Sequence, residues 1–460
     1  MNKLAAEYKP RLLELTKISA PIIVEQIFIT VMGMVNTAMV SSVGDYAVAA
    51  AGIIDSVSNL IIAVFAALTT GGAIVVAQYF GRQDRAGASK AGAQSAILAL
   101  ALSLIAAGVF AVFRTQIILS LFGKSDTNVV NAGMEYFRIV IISYPFLAVM
   151  QTLFGVMRGC GDTGSPMLIT LLMNLLNFIL GYILILGINL FGIHTAGFGV
   201  TGAAAAITLA RMSGMIASII YITRKSKAVR LNRLSYFKPD FITWRAVLGL
   251  GIPTSVESTL FQVGRLITQL FIVGMGEAAL AANTVASSVS GFINVPGSAF
   301  SMGVMILVGH RVGRGQESDI KKTSIFATAM GSVMMGLVCL LCMPFIGTLG
   351  KIYNLSPDAY AIFFTALFSS LMVTPFLWAP SFILPASLRA TGDVNFTMAV
   401  AIISMWAFRI VSGYIFGVAM GLGVLGIWMG MYVDWFVRSV LFTWRLLSGK
   451  WKKHLKTVSN

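Results

Sequence analysis

Ten ionisable residues stand inside long apolar stretches of this chain: Glu25, Asp55, Glu135, Glu257 and Asp434, against Arg138, Arg211, Arg265, Arg409 and Arg438. A charge near the centre of a bilayer costs at least about 2.5 to 3.5 kcal/mol on insertion scales, so each needs a partner, a water-filled cavity or a role. A carboxylate in such surroundings suits one kind of chemistry, the uptake and release of H⁺ or Na⁺ as its environment changes. Glu25 and Glu257 each lie four residues past a proline, Pro21 and Pro253. A helix proline frees backbone groups beside the acid, which suits a switchable ion-coupling site. Beyond Glu257, the residues Gln262, Arg265 and Gln269 recur at spacings of three and four. They form a polar stripe that either faces a central aqueous cavity or packs on polar neighbours. Asp55 has no basic residue near it in sequence and is expected roughly 15 Å below the outer end of its helix. Asn59 follows one turn later and Asn36 is expected at similar depth, so Asp55 is either a desolvated proton carrier or a protonated acid used in packing.

The remaining charges read as structural. Asp434 and Arg438 are one helical turn apart, and Arg409 falls at a comparable depth, so a buried Arg409–Asp434–Arg438 cluster is expected. Glu135 and Arg138, three residues apart, are expected to pair locally. His194, His310 and His454 are scattered, and no metal site or catalytic triad is visible. Cys339 and Cys342 form a C-x-x-C without the context of a redox or metal site and read as inert thiols. Gly421 to Gly426 matches the dinucleotide fingerprint G-x-G-x-x-G but lacks the strand and the βαβ unit that the chemistry needs. Gly413, Gly417 and Gly421, at four-residue spacing, are expected to let two helices approach closely.

The elements that position these residues follow from composition. Hydrophobic residues make up 57% of the 460, charged ones 11%, and mean hydropathy is +0.86. That balance excludes a soluble fold of this length. Apolar runs of twenty or more residues without strand-like alternation predict helices rather than a barrel. Twelve spans are expected: 16–42, 46–80, 87–113, 129–157, 166–190 and 198–223, then 243–275, 278–311, 319–348, 358–388, 394–420 and 424–447. A net charge of +16 would admit nucleic acid as a partner, but the 33 Lys and Arg residues alternate by loop. They gather at 82–90, 224–245, 311–322 and 450–456, and the opposite loops hold only Arg114, Lys124 and Lys351. This positive-inside bias predicts both termini and a basic central linker in the cytoplasm, with no nucleic acid as partner. The polar start of the chain and the length of its first apolar run do not read as a cleavable signal.

The chain also repeats itself. Pro21 and Glu25 answer to Pro253 and Glu257, Gly44-Asp45 to Gly276-Glu277, and Gly81-Arg82 to Gly313-Arg314. Arg158 and Gly161-Asp162 answer to Arg389 and Gly392-Asp393, and Gly199-Val200 to Gly423-Val424. Two six-helix units are therefore expected, residues 1–223 and 243–447, joined by a linker at 224–242 and followed by a basic tail at 448–460. Because six is even, the halves share one orientation, as in transporters with parallel repeats.

At these residues the chain resembles the multidrug and toxic compound extrusion family, the MATE exporters. The resemblance covers essentially the whole sequence and rests on several strings. They are Pro21 to Gln26, Val35-Asn36-Thr37-Ala38-Met39-Val40, Ala77-Gln78-Tyr79-Phe80-Gly81, Met157 to Thr163, and Asn174 with Asn177. It implies an all-α, V-shaped pair of bundles that exports small organic compounds, often cationic and aromatic, in exchange for entering H⁺ or Na⁺. No cofactor beyond the coupling ion is implied, and a monomer is expected. The glutamate that relatives carry on helix 7 matches Glu257, with Na⁺ as one ion it would hold. The acid common on helix 1 is replaced by Asn36, the acid after the helix 5 asparagines falls near Gly181, and helix 10 offers only Asp358. Glu257, Asp55 and Glu25 are thus the ion-coupling candidates. Asn36, Gln262, Arg265, Gln269, Asn174, Asn177 and Asn283 are the candidates for a substrate cavity. Two rivals remain. A flippase for a lipid-linked saccharide would be favoured by Arg211 and Arg265 facing the lumen, and a membrane-embedded enzyme would need a nucleophile, metal cluster or paired acids that are not seen.

Overall fold

The structure is a computed structural model that describes residues 2–122, 127–187, 189–190, 193–194, 197–226, 228–231 and 233–455. Lys124, Lys227 and Lys456, counted above in the loop charges, lie outside the described residues. The all-α reading holds, with helices in the expected order. In the first half they are α1 (Asn2–Ser41), α2 (Asp45–Gly81), α3 (Arg85–Phe122), α4 (Thr127–Gly159), α5 (Gly164–Leu186) and α6 (Gly199–Ile220). In the second half they are α7 (Phe241–Val273), α8 in two segments (Glu277–Ile293 and Val295–Gly313), α9 (Glu317–Cys342), α10 (Pro357–Ala390), α11 beginning at Val394–Ile403, and α12 (Gly423–Leu447). A two-residue hairpin, Asn189–Leu190 with Ile193–His194, is the one sheet among the described residues.

Ten of these helices are long and apolar enough to cross a membrane, or eleven when the segments of α8 count as one span. The twelfth, α7, falls short because Glu257, Gln262, Arg265 and Gln269 dilute its apolar run. Two departures from straight α-helix were not expected. The two segments of α8 meet at 43° around Asn294, with Pro296 at the start of the second. Its missing N–H and fixed φ start a helix well but interrupt one in progress. In α11, two π-helical stretches, Ser404–Ile410 and Tyr414–Ala419, insert extra residues per turn beside Arg409.

The duplication is visible in the backbone. Gly161 and Gly392 sit at φ 82° and 93°, and Gly199 and Gly423 at 55° and 61°. Gln83 at φ 64° occupies the place of Gly315 at 72°, so the turn keeps a left-handed residue even where glycine is lost.

The compact units are Met1–Ile23 with Val256–Asn460, and Val24–Ser255. They differ from lobes of 1–223 and 243–447 because α1 and α7 each change allegiance close to their prolines, Pro21 and Pro253. Leu15, Ile18 and Ile22 belong to the core of the first of these units, with Phe300, Leu307 and Phe442. In the second unit the early part of α7 packs on α2, so closely that a Cβ at Gly71 would overlap the carbonyl of Val247. There α4 is the central helix, burying Phe137, Tyr144 and Phe154.

The Gly413 and Gly417 positions do carry a close approach, of α11 to α12. A Cβ on Gly430 would lie 2.6 Å from the backbone nitrogen of Gly413, and one on Gly426 would overlap Phe416 and Gly417. Gly421 does not take part as expected. It lies in the turn at φ 69° with open space around it.

Candidate functional site

The two proline-flanked glutamates face the same partner in their own units. Arg158 Nη2 donates to both carboxylate oxygens of Glu25, at 2.5 and 2.6 Å, and Thr170 Oγ1 donates at 3.1 Å. This group is closed off: the Glu25 side chain is 1% exposed. Glu25 thus departs from the expectation of a switchable acid, because a clamped carboxylate with its lone pairs occupied has little to offer an entering ion. One repeat on, Arg389 Nη1 stands 3.5 Å from Glu257 Oε2, and that oxygen accepts no hydrogen bond among the described residues. The difference traces to sequence. The hydroxyl of Thr170 falls in the repeat register at Ala401, which has none.

Polar groups expected in the first half divide into two places. Asn177 Nδ2 donates to Asn36 Oδ1 at 2.9 Å, and the amide nitrogen of Asn174 is buried without an acceptor among the described residues. Asp55 is exposed and has Arg211 of α6 within electrostatic reach, while Arg211 donates to Ser143 Oγ at 2.6 Å. Asn36 is therefore the partner of Asn177 rather than of Asp55. The Glu135 to Arg138 pair is not formed among the described residues. Glu135 is exposed and accepts from Thr201 Oγ1 at 2.9 Å.

The unit containing Val256–Asn460 holds a cavity of about 650 Å³. Arg265 and Gln269 of α7 and Asn283 of α8 line it, whereas Gln262 does not. Arg409 lines it from the first π-helical stretch of α11. A Cβ at Gly264 would overlap Met405, so the glycine lets α7 approach α11 and sets Arg265 near Arg409. The expected charge cluster assembles behind this wall. Arg438 Nε donates to Asp434 Oδ1 and to Ser404 Oγ, each at 2.7 Å, and Arg409 Nη1 stands 3.8 Å from Asp434 Oδ2. Aromatic walls complete the cavity: Phe261, Trp378, Phe382, Trp428 and Trp435. Trp378 and Phe382 stack with centroids 4.6 Å apart, and Trp428 Nε1 donates to Asn283 Oδ1 at 2.9 Å.

Arg158, Arg389, Thr170 and the tryptophans were not singled out as site residues from the sequence. The arginines had a signal, since each recurs with its glutamate in the repeat, at an interval that differs by one residue. The tryptophans had none, because only the packing of α10 and α12 brings them to α7.

Two homologous sets of membrane-spanning helices, one of which holds a polar cavity, define a secondary membrane transporter rather than an enzyme. A family model described as MatE matches residues 21–183 and 253–415, one stretch in each repeat. The chain belongs to the MatE family. It is 30% identical to the uncharacterized transporter YisQ of Bacillus subtilis, over 94% of this chain and 93% of that protein. It is 27% identical to a probable multidrug resistance protein NorM of Thermotoga maritima, over 96% and 93%. A solved structure of MATE in complex with MaL6 shares the fold, with a TM-score of 0.87 at 22% identity over 96% and 97% of the two chains.

Proposed function

We propose that this transporter is a cation-coupled exporter of small organic compounds that works by alternating access, with Glu257 as the carboxylate that takes up H⁺ or Na⁺. The observation that carries the reading is the loosely held Glu257, whose Oε2 has an arginine at 3.5 Å and no hydrogen bond among the described residues. Binding an ion there neutralises a carboxylate that Arg389 holds only loosely, and so biases whichever state exposes it. Asp55, exposed and near Arg211, is the second coupling candidate. The driving force is ample: one charge moving inward is worth about 2.3 kcal/mol per 100 mV. Asn36, Asn174 and Asn177 in one unit, and Arg265, Gln269 and Asn283 in the other, supply polar contacts for cargo. The positive-inside distribution favours cytoplasmic termini, and we propose a bacterial inner membrane and a monomeric transporter.

The test is efflux from proteoliposomes under an imposed pH or Na⁺ gradient, comparing wild type with Glu257→Gln and Asp55→Asn. Loss of gradient-driven transport in Glu257→Gln is expected. Normal pumping by both variants under either gradient rejects the assignment. The arginine-lined cavity also favours a second reading, a lipid-linked saccharide flippase, which a lipid translocation assay on the same vesicles separates from efflux.

A further inference from the structure

The cavity of the Val256–Asn460 unit has an excess of positive charge. Arg265 and Arg409 line it, and no Asp or Glu does so among the described residues. The one acid behind them, Asp434, is already engaged by Arg438 at 2.7 Å, which leaves three guanidiniums to one carboxylate. Arg265 itself is exposed and forms no ion pair among the described residues. Like charges facing each other across a cavity of lowered dielectric repel, and an anion between them turns that repulsion into attraction.

The neutral groups tell the same story. Trp435 is 4% exposed, and its Nε1, a donor only, has no acceptor among the described residues. Ser290 Oγ is buried in the same condition. Asn283 has its carbonyl oxygen occupied by Trp428, so what it presents elsewhere is its NH₂ group. An anionic acceptor group on a ligand satisfies these donors, while the hydroxyls of Thr284, Ser287 and Ser288 in the same lining can give or take a hydrogen bond.

Aromatic walls would ordinarily favour an organic cation, because ring faces attract positive charge. Here two of the five rings, Phe261 and Phe382, already have a guanidinium over them. Arg438 lies 5.3 Å from the centroid of Phe261 and 5.7 Å from that of Phe382, and Arg409 lies 5.6 Å from Phe261. The stacked Trp378 and Phe382 leave a flat apolar wall for a planar group, and about 650 Å³ falls in the range of drug-sized sites.

Building on the exporter reading above, the geometry points to small aromatic organic anions, carboxylates or sulfonates, as the ligands of this cavity, with Arg265 meeting the acid group. This replaces the cationic cargo that family resemblance implies. The polar stripe of α7 selects for charge sign, while the tryptophan wall accepts many ring systems.

The probe pair is naphthalene-1-sulfonate and 1-naphthyltrimethylammonium, which share a ring system and differ in charge sign. Binding is measured by quenching of tryptophan fluorescence, with the full-length protein in nanodiscs of zwitterionic lipid. Wild type is expected to bind the sulfonate at least about tenfold more tightly than the ammonium. Arg265→Gln is expected to lose about tenfold for the sulfonate with no loss for the ammonium, and Arg265→Lys to retain most of the sulfonate binding. Because Arg265 has no internal ion pair, these variants are expected to fold, which their unfolding midpoints check. Equal or tighter binding of the ammonium, binding of neither probe, or a preference untouched by Arg265→Gln overturns the inference. The measurement uses no ion gradient, so it stands or falls separately from ion-coupled export.

Discussion

Glu257 and Arg389 stand at 3.5 Å where their counterparts one repeat earlier, Glu25 and Arg158, are in contact at 2.5 Å. Duplication has thus preserved a pair of residue types and relaxed one of the two copies. A tight buried pair resists being opened, since removing one partner strands the other charge at a cost of about 3 to 5 kcal/mol. A loose one is cheap to rearrange.

The two glutamates should therefore separate stability from transport. Glu25→Gln is expected to destabilise by about 3 kcal/mol or more, because Arg158 is left buried without a counter-charge. Glu257→Gln is expected to cost no more than about 1 kcal/mol while abolishing gradient-driven efflux. Unfolding midpoints in detergent, set beside proteoliposome efflux, check both. A Glu257→Gln variant as unstable as Glu25→Gln would show that the second pair is structural too.

Helix contact makes a steric prediction. Gly430→Val places branches on a Cβ that is itself only 2.6 Å from the Gly413 backbone, so α11 and α12 must separate. Overpacking of this kind costs about 1 to 3 kcal/mol or more. Folded yield and unfolding midpoint should both fall, whereas Gly33→Val, where an added Cβ meets nothing within 4 Å, should change neither.

Most of the fold was legible because a membrane leaves few options: apolar runs bounded by glycines and basic residues gave α2 as 46–80 where the structure has Asp45–Gly81. The bend in α8 was not read, although Pro296 in a long apolar run was the available signal. The π-helical turns of α11 had no such signal, because they depend on how Arg409 and Met405 meet α7 and α12. At the site, spacing within one helix was informative, and it placed Arg265 and Gln269 on a cavity and joined Asp434 to Arg438. Partnerships between distant helices were harder. Glu25 meets Arg158 across 133 residues of chain, and only the recurrence of both residues in the repeat hinted at it.

The basic linker is anchored from α3. Buried Gln94 donates from Nε2 to the carbonyls of Tyr236 and Lys238 at 2.6 and 2.7 Å, and accepts from Asp240 N at 3.1 Å. Gln94→Leu leaves three backbone groups without that partner, each worth about 1 to 3 kcal/mol where desolvated. Trypsin cleavage after Arg230 and Arg233 is expected to accelerate at least about tenfold in this variant. An unchanged digestion rate would mean that other contacts hold the linker.

Acid should loosen the same anchor. The hydrogen bond from Lys90, whose Nζ is 2.6 Å from Asp240 Oδ2, holds the Asp240 carboxyl below its ordinary range. A carboxyl depressed in the folded state contributes stability that is fully present above its unfolded value, about 3.9, and is lost as pH falls through the lower folded value. Hydrogen exchange of the 228–240 segment, corrected for the intrinsic rate, is therefore expected to be flat from pH 7 to about 5 and to rise below about 4. In Lys90→Met exchange should already be faster at pH 7 and its rise in acid smaller, because the folded carboxyl value then lies closer to the unfolded one. Identical profiles in the two proteins would remove Lys90 as the cause.

The cluster of Arg409, Asp434 and Arg438 yields the sharpest energetic test, because its acid is fully buried and outnumbered. Asp434→Asn removes the only negative charge among them and leaves two guanidiniums facing each other and Arg265. A loss of about 3 to 5 kcal/mol is expected in the single variant. If that cost is repulsion rather than lost packing, Arg438→Met in the Asp434→Asn background should recover a large part of it, since Met fills the volume without the charge. The double variant is also expected to keep its preference for the aromatic sulfonate, because Arg265 and Arg409 still line the cavity. A double variant no more stable than Asp434→Asn would assign the cluster's contribution to hydrogen bonding with Ser404 and the Ala401 carbonyl instead.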